Sequence, residues 1–332
     1  MFKKYIPHPT KREFFAMILL FAELILFSVF VPNFLSVDNI IRVIQNNAEV
    51  AIISIGMTIV MLMGGIDLSV GAVMGVVAVV TGTMIEKQMN TILVILVAAG
   101  IGTLVGAING LIIAKLHIPD MLATLATGNI WKAVIFGLLG GKWLTSLKPQ
   151  FAAVTTGRIL GIPILLLLVI AVYALFYYIF MYRKLGRYIY AIGNNENAAL
   201  LSGINVSYVR IMSYCITGAL AGLTGLLYIS RMRSVEMTIG TTTAIQCIAA
   251  VTIGGIGAKG SGSRGSVIGT LAGVFFIGFL RNGIVIMGIP SLLENFFIGF
   301  FMVICVLIDS LNAMRQTKIA AGEKDVQDGG AA

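Results

Sequence analysis

Charged, metal-binding and nucleophilic side chains are scarce in this sequence. Of 332 residues, 14 are Asp or Glu, two are His and three are Cys, and charged residues make up 11% of the total. A soluble chain of this length needs a far more heavily charged surface, so a soluble globular class is excluded. Cys215, Cys247 and Cys305 all fall inside apolar segments, without C-x-x-C spacing or a histidine cluster nearby. That leaves packing as their role. His8 lies among basic residues and His117 in a short loop, neither with a ligand partner at helical spacing, so a metal centre or a Ser-His-Asp arrangement has no support.

What is abundant points to a membrane. Hydrophobic residues make up 58% of the chain, with 38 glycines, and the mean hydropathy is +0.98. The expected class is an all-α polytopic membrane protein. The net charge of +9 would suit nucleic acid, but the Lys and Arg residues cluster at the ends of apolar stretches, where topology explains them. Membrane lipid is therefore the expected surrounding, and nucleic acid is not an expected partner.

Windows of about 20 apolar residues, the length needed to cross some 30 Å of hydrocarbon, occur ten times. They lie at 13–31, 48–64, 69–86, 91–114, 120–140, 159–181, 208–230, 242–258, 265–287 and 290–309. About ten transmembrane helices, some short or broken, are expected. The first run lacks a small-residue cleavage site and is longer than a signal-peptide core, so it reads as a retained span. An even count puts both ends on one side, and the basic leader 1–12 and the tail 310–332, with Arg315, Lys318 and Lys324, place that side in the cytoplasm. The domain division is leader 1–12, membrane body 13–309 and tail 310–332. Within 31–47, which contains Pro32, the run I-I-R-V-I-Q-N-N reads as a short amphipathic helix on the outside.

Alternation puts Lys115, the central loop 183–207 and the loop 258–265 inside, and the loops 141–158 and 231–240 outside. Arg231 and Arg233 then run against the charge rule, which is a bias over the whole chain. The central loop is the one long polar, basic interruption, with Arg183, Lys184 and Arg187 near its start. A short helix from 195 to 201 is expected within it, presenting Ala198 and Leu201 and ended by Gly203. A docking element and a solvated helix end fit this pattern equally.

Small residues recur four apart at Gly71 and Gly75, at Gly102, Gly106 and Gly110, at Gly218 and Gly222, and at Gly265, Gly269 and Gly273. In lipid this spacing lets backbones approach closely and argues for a compact many-helix body. Polar residues within the spans are few: Asn109, Thr124, Thr127, Asn129, Lys132, Gln246, Arg281, Asn282 and Glu294. Asp67 and Ser69 follow Gly64-Gly65 and precede a helical run, so the favoured role of Asp67 is to cap that helix and hold a break. The competing role is to line a translocation route with Ser69, Asn109, Thr124, Asn129 and Gln246. Arg281 and Glu294 are expected to form a structural pair across the last two spans. The G-G-I-G-A-K-G-S-G-S-R-G run at 254–265 lacks the phosphate-loop order and a preceding strand. With no nucleotide-binding signature, any ATP chemistry must come from another subunit, and no cofactor is expected on this chain.

Taken together, G-M-T-I-V-M-L-M-G-G-I-D-L-S-V-G at 56–71, Y-A-I-G-N-N-E-N-A-A-L-L-S-G-I at 190–204, I-A-A-V-T-I-G-G at 248–255 and G-S-V-I-G-T-L-A-G at 265–273 resemble a known family. The chain is similar, from about residue 33 to 309, to bacterial ABC-importer permeases of the ribose, xylose and galactose type, which include autoinducer-2 permeases. The resemblance implies the permease fold, a plasma-membrane location and no enzyme activity in this chain. It implies that Glu196, Ala198, Ala199, Ser202 and Gly203 belong to a coupling helix seated in a cleft of an ATPase subunit, which uses ATP and magnesium. The other implied partners are a second permease copy or paralogue and a periplasmic or surface-tethered sugar-binding protein. The sequence departs from the family where Ala244-Ile245-Gln246-Cys247 replaces an acidic pair and where Lys132-Ala133 replaces Arg-Gly, so the sugar is left open, with nucleosides and autoinducer 2 as alternatives. Of the other classes, an ion-coupled secondary transporter would need intramembrane carboxylates, for which this reading finds only Asp67 and Glu294. A membrane enzyme would need a convergent acid, base and nucleophile set.

Overall fold

The computed structural model describes residues 11–145, 147, 151–257, 265–290, 293–301, 303, 304 and 307. Most of the leader 1–12 with His8, the glycine-rich loop 258–264, Cys305 and the tail lie outside the described residues. The described chain is predominantly helical: α1 (Lys11–Phe30), α2 (Val37–Asn46), α3 (Ala48–Leu62), α4 (Val70–Glu86), α5 (Thr91–Leu116), α6 (Asp120–Leu139), α7 (Ala152–Thr155), α8 (Ile164–Tyr182), α9 (Lys184–Asn194), α10 (Glu196–Leu201), α11 (Val206–Met232), α12 (Thr243–Ile253) and α13 (Val267–Ile286). A two-residue hairpin, β1 (Arg158–Ile159) with β2 (Ile162–Pro163), precedes α8.

Among the described residues five helices, α5, α6, α8, α11 and α13, are long and apolar enough to cross a membrane, and α2 with α3, bent by 50° at their junction, make a sixth if the pair is counted as one span. The count of ten full spans is not reproduced. Hydropathy windows register apolar composition but not breaks: the 242–258 window holds only the 11-residue α12, which stops at Gly254, and the 159–181 window gives its first residues to the hairpin. The apolar stretch of α1 and the whole of α4 are shorter helices of the same apolar kind. The last window is described only in part, and is helical from residue 294 to 301.

Helix α3 is the centre of the body. Fourteen of its 15 residues are buried, as expected of a helix apolar on all sides. It is tied to α8 by the Tyr173 hydroxyl donating to the Ala51 carbonyl at 2.9 Å, to α11 by the Thr217 hydroxyl donating to the Gly56 carbonyl at 3.1 Å, and to α13 by Thr58 and Thr270 hydroxyls 2.6 Å apart. By contrast, α5, α6 and α8 bury one face and leave large apolar side chains exposed on the other, as lipid-facing helices do.

The glycine spacing works through backbone contact. Helices α5 and α11 cross so closely that a Cβ on Gly102 would strike the Gly218 carbonyl, one on Gly106 the Tyr214 carbonyl, and one on Gly222 the Ala98 carbonyl. Gly273 sits on the Ala250 carbonyl between α13 and α12, and Gly71 on the Gly240 carbonyl.

The two ends of the bundle are distinct. Loops 141–158 and 231–240, assigned to one side by alternation, are bonded together: Leu144 and Val235 exchange backbone hydrogen bonds of 3.1 and 2.8 Å, and the Leu147 amide donates to the Arg233 carbonyl at 3.1 Å. At the other end the Tyr190 hydroxyl donates to the Gly265 carbonyl at 2.9 Å, and the Ser207 hydroxyl to the Ala114 carbonyl at 3.4 Å, joining the three segments assigned to the opposite side. Arg231, which ran against the charge rule, is neutralised in place. Its guanidinium donates to both carboxylate oxygens of Glu49, at 2.9 and 3.2 Å, and to Asn46 Oδ1 at 3.1 Å.

Replacing Gly218 with Ala is expected to cost about 1–3 kcal/mol, because the new methyl has only backbone to displace. Replacing Gly137 with Ala, where nothing lies within 4 Å, should leave stability unchanged. Thermal unfolding of the two variants in detergent compares them.

Candidate functional site

Between α3 and α4 the chain leaves helical geometry at residues 63–69, with Gly64 exposed and Met63, Gly65, Asp67 and Ser69 buried. Gly64 adopts φ +85°, open to glycine at little cost, and Gly65 has no room for a Cβ because an Asp120 carboxylate oxygen lies where it would go. The end of α3 is closed by its own carbonyls, with the Gly64 amide donating to Met61 at 3.0 Å and the Gly65 amide to Val60 at 3.1 Å.

Side chains supply what the backbone lacks beyond that point. Asp67 Oδ1 accepts the Ser69 amide at 2.9 Å and the Ser69 hydroxyl at 2.6 Å. The carboxylate thus closes the break onto Ser69 instead of capping the first-turn amides of α4. The Asn109 amide group of α5 donates to the Ser69 hydroxyl at 2.8 Å. Thr124 of α6 accepts the Leu68 amide at 3.1 Å, and its one proton is shared between the Asp120 carbonyl at 2.8 Å and the Ile66 carbonyl at 3.2 Å. Asp67, Ser69, Asn109 and Thr124, four of the six residues grouped from sequence, therefore form one network drawn from α5, α6 and the break, each at most 2% exposed.

Asn129 and Gln246 do not join it. Asn129 is exposed on the outer face of α6, beside the exposed Ile130 and Lys132. Gln246 is buried in α12 and donates to the hydroxyl of Thr242, the residue just before that helix, at 3.4 Å. Arg281 and Glu294 are ion-paired, with Nε and Oε2 2.7 Å apart.

The break adjoins the end of the bundle that carries α9 and α10. A Cβ on Gly193 of α9 would strike the Leu62 carbonyl, so α9 lies across the end of α3. Reading residues 183–207 as a loop with one short helix missed α9, an amphipathic helix whose Gly186, Ile189 and Ile192 face inward. Helix α10 is set by side-chain caps. Asn195 Oδ1 accepts the Ala198 amide at 2.9 Å, and the helix ends with Gly203 at φ +81°, its amide on Leu200 and the Ile204 amide on Ala199. Ala198, Leu201, Ser202 and Gly203 are exposed, and Leu201 is 87% exposed. Ala199, grouped with them from sequence, is buried at 4% exposure and seats the helix on the body.

Three residues missed in the sequence complete the surroundings. Glu196 of α10 pairs with Arg210 of α11 at 2.9 Å. Asp120, at the start of α6, lies near enough to Arg210 and to the buried Tyr214 hydroxyl, one turn beyond it on α11, for their charges and dipoles to act on its carboxyl. The signal was present: Arg210 and Tyr214 are four apart near the start of a span, and Asp120 directly follows Pro119. The search for intramembrane acids that found only Asp67 and Glu294 also missed Glu23 and Glu49, both buried.

These features define a multi-pass helical membrane protein, packed through glycine, with a polar break and a protruding capped helix at one end. The chain belongs to the family described as branched-chain amino acid transport system / permease component, which it matches over residues 39–306. It is 37% identical over 304 residues to the ribose import permease protein RbsC of Haemophilus influenzae, across 90% of this chain and 93% of that one. To RbsC of Bacillus subtilis it is 36% identical over 292 residues, across 87% and 90%. To the autoinducer 2 import system permease protein LsrC of Photorhabdus luminescens it is 29% identical over 315 residues, across 95% and 94%. No solved structure matches the chain.

Replacing Thr124 with Val keeps shape but strips the Leu68 amide of its acceptor. The expected loss is about 1–3 kcal/mol, read as a lower unfolding temperature in detergent.

Proposed function

We propose that this chain is the membrane-spanning permease subunit of an ATP-binding-cassette importer for a pentose, hexose or similar small polyhydroxylated solute. The observation that carries the reading is α10: a short helix, capped at both ends, holding Leu201 87% exposed beside exposed Ala198 and Leu200 at a polar end of the bundle. Apolar side chains held out on a rigid, non-spanning element suit a protein cleft better than water or lipid. In this reading the end bearing α10 is cytoplasmic, as are both termini, the body has about ten crossings, and separate ATPase subunits hold ATP and magnesium. Ribose is the first sugar to test, because 37% identity to a ribose import permease extends over nearly the whole chain.

A second copy of the chain, or a paralogue, completes the pathway. Asn129 and Lys132 stand exposed near the middle of α6, an apolar span. Groups of this kind are costly against hydrocarbon and face a neighbour or a wetted cavity. A pathway between two permease subunits would cover that face and give both side chains water or solute. A sugar-binding protein would deliver its ligand at the opposite end, on the paired loops 141–158 and 231–240.

Two measurements test this. Ribose uptake should survive a protonophore and disappear without the cognate ATPase; the reverse pattern would instead indicate an ion-coupled transporter using buried acids such as Glu23. Replacing Leu201 with Asp should leave the body folded and weaken co-purification of the ATPase by more than about tenfold. Unchanged association would remove α10 from the docking surface.

A further inference from the structure

The hairpin β1–β2 stands at the start of α8, the end of that helix away from α9. Ile159 pairs with Ile162, so the turn between them is Leu160-Gly161. Both turn residues have positive φ, +51° for Leu160 and +82° for Gly161, the backbone of a tight hairpin turn that favours Asn, Asp or Gly at the first place. A leucine is ill suited to that backbone, and this one is also 98% exposed. The fold itself, which leaves the side chain bare, compensates for neither. Ile159 at 52% and Ile162 at 44% exposure extend the apolar surface on both sides of the turn. The base beneath is fixed. Thr155 is buried and its hydroxyl donates to the Ser230 carbonyl of α11 at 3.4 Å, while the Gly157 amide donates to Ala153 at 3.1 Å and the Ile164 amide to Gly157 at 3.0 Å. An apolar tip is therefore held out on a firm support.

The adjoining helix points to what covers it. Helix α8 rises about 28 Å over its 19 residues, just short of the roughly 30 Å of hydrocarbon that a span must cross. From Ile159 to Val172 no side chain carries a polar group, so the apolar hairpin runs without interruption into a helix whose exposed Ile170 and Leu175 face lipid. The far end of α8 has interfacial anchors of the usual kind: exposed Tyr178 and Tyr182, with the Arg183 guanidinium 5.4 Å from the centre of the Tyr178 ring. Pro163 and Ile164 supply nothing comparable at its start, and the first polar side chain beyond them is that of Arg158, exposed at the foot of β1. We propose that the hairpin is a lipid anchor, lying along the membrane surface with Ile159, Leu160 and Ile162 at the boundary between headgroups and acyl chains and the Arg158 guanidinium among the phosphates. The backbone groups of the turn bar a deeper position, because hydrocarbon would leave them unpaired. Anchored in this way, α8 is fixed in depth at its start while its other end carries α9 and α10.

The test uses the full chain, with Cys215, Cys247 and Cys305 replaced by Ala, in nanodiscs of phosphatidylethanolamine and phosphatidylglycerol. A spin label is attached to Leu160→Cys and, as the reference at the same end of the bundle, to Lys142→Cys, an exposed position. Each label's contact with dissolved oxygen, which concentrates in lipid, is compared with its contact with a water-soluble nickel chelate. The ratio of oxygen to nickel contact at Leu160→Cys should exceed that at Lys142→Cys several-fold. Equal ratios would put the tip in water and overturn the anchor. A tip open to nickel and shielded only when a sugar-binding protein is added would overturn it as well, making the hairpin a protein contact. Replacing Arg158 with Gln should raise nickel contact at the labelled tip, as the hairpin loses its hold on the phosphates; unchanged contact would remove Arg158 from the anchor. If Leu160→Cys does not fold, Ile162→Cys, on the other strand of the hairpin, makes the same comparison.

Discussion

A backbone amide or carbonyl buried in a helical body has no solvent to fall back on, and that constraint organises the break between α3 and α4. Interrupting a helix between α3 and α4 frees donors and acceptors that hydrocarbon cannot satisfy. The chain meets the demand locally, with Asp67 closing on Ser69, and then from neighbours, with Thr124 of α6 serving the Leu68 amide and the Ile66 carbonyl and Asn109 of α5 reaching Ser69. Each of these bonds also fixes a helix. The break holds α5 and α6 in register against α3 and α4, so the bonds that make it tolerable also make it a mechanical junction.

Close approach supplies the rest of the cohesion. Lipid chains are as apolar as Leu, so helices gain little by hiding apolar surface from them, and contact area and polar links must hold the bundle. The α5–α11 crossing provides the contact through Gly102, Gly106, Gly218 and Gly222. The threonine and tyrosine hydroxyls around α3 provide the links. A body held by many short-range contacts moves in packed pieces more readily than it bends.

Charge is spent sparingly and in pairs. Arg231 lies against Glu49, Arg281 against Glu294 and Arg210 against Glu196. The first two pairs tie elements together, and a guanidinium neutralised in place, as that of Arg231 is, carries little topological information. The third is different. It fastens the exposed helix α10 to α11, with the Glu196 side chain about half exposed. Helix α10 therefore differs from an inert tether: its first acidic residue is already committed to the body behind it.

Several features were legible in the sequence. Long apolar runs declare a membrane protein whatever the contacts, because span length is set by bilayer thickness. Glycines four apart declare close crossings, and Asn195 followed by a short run to Gly203 declares a capped helix. Membership of the permease family followed from ordered motifs spread along the chain. Tertiary structure decided the remainder, since periodicity along one helix carries no record of which face meets which neighbour. It gathered Asp67, Ser69, Asn109 and Thr124 while leaving Asn129 and Gln246 apart, and it turned Ala199 inward. It brought the Asp120 carboxylate of α6 beside Gly65 in the break. Pairing between residues far apart in the chain depends on how helices cross, and crossing is fixed by the whole packed body.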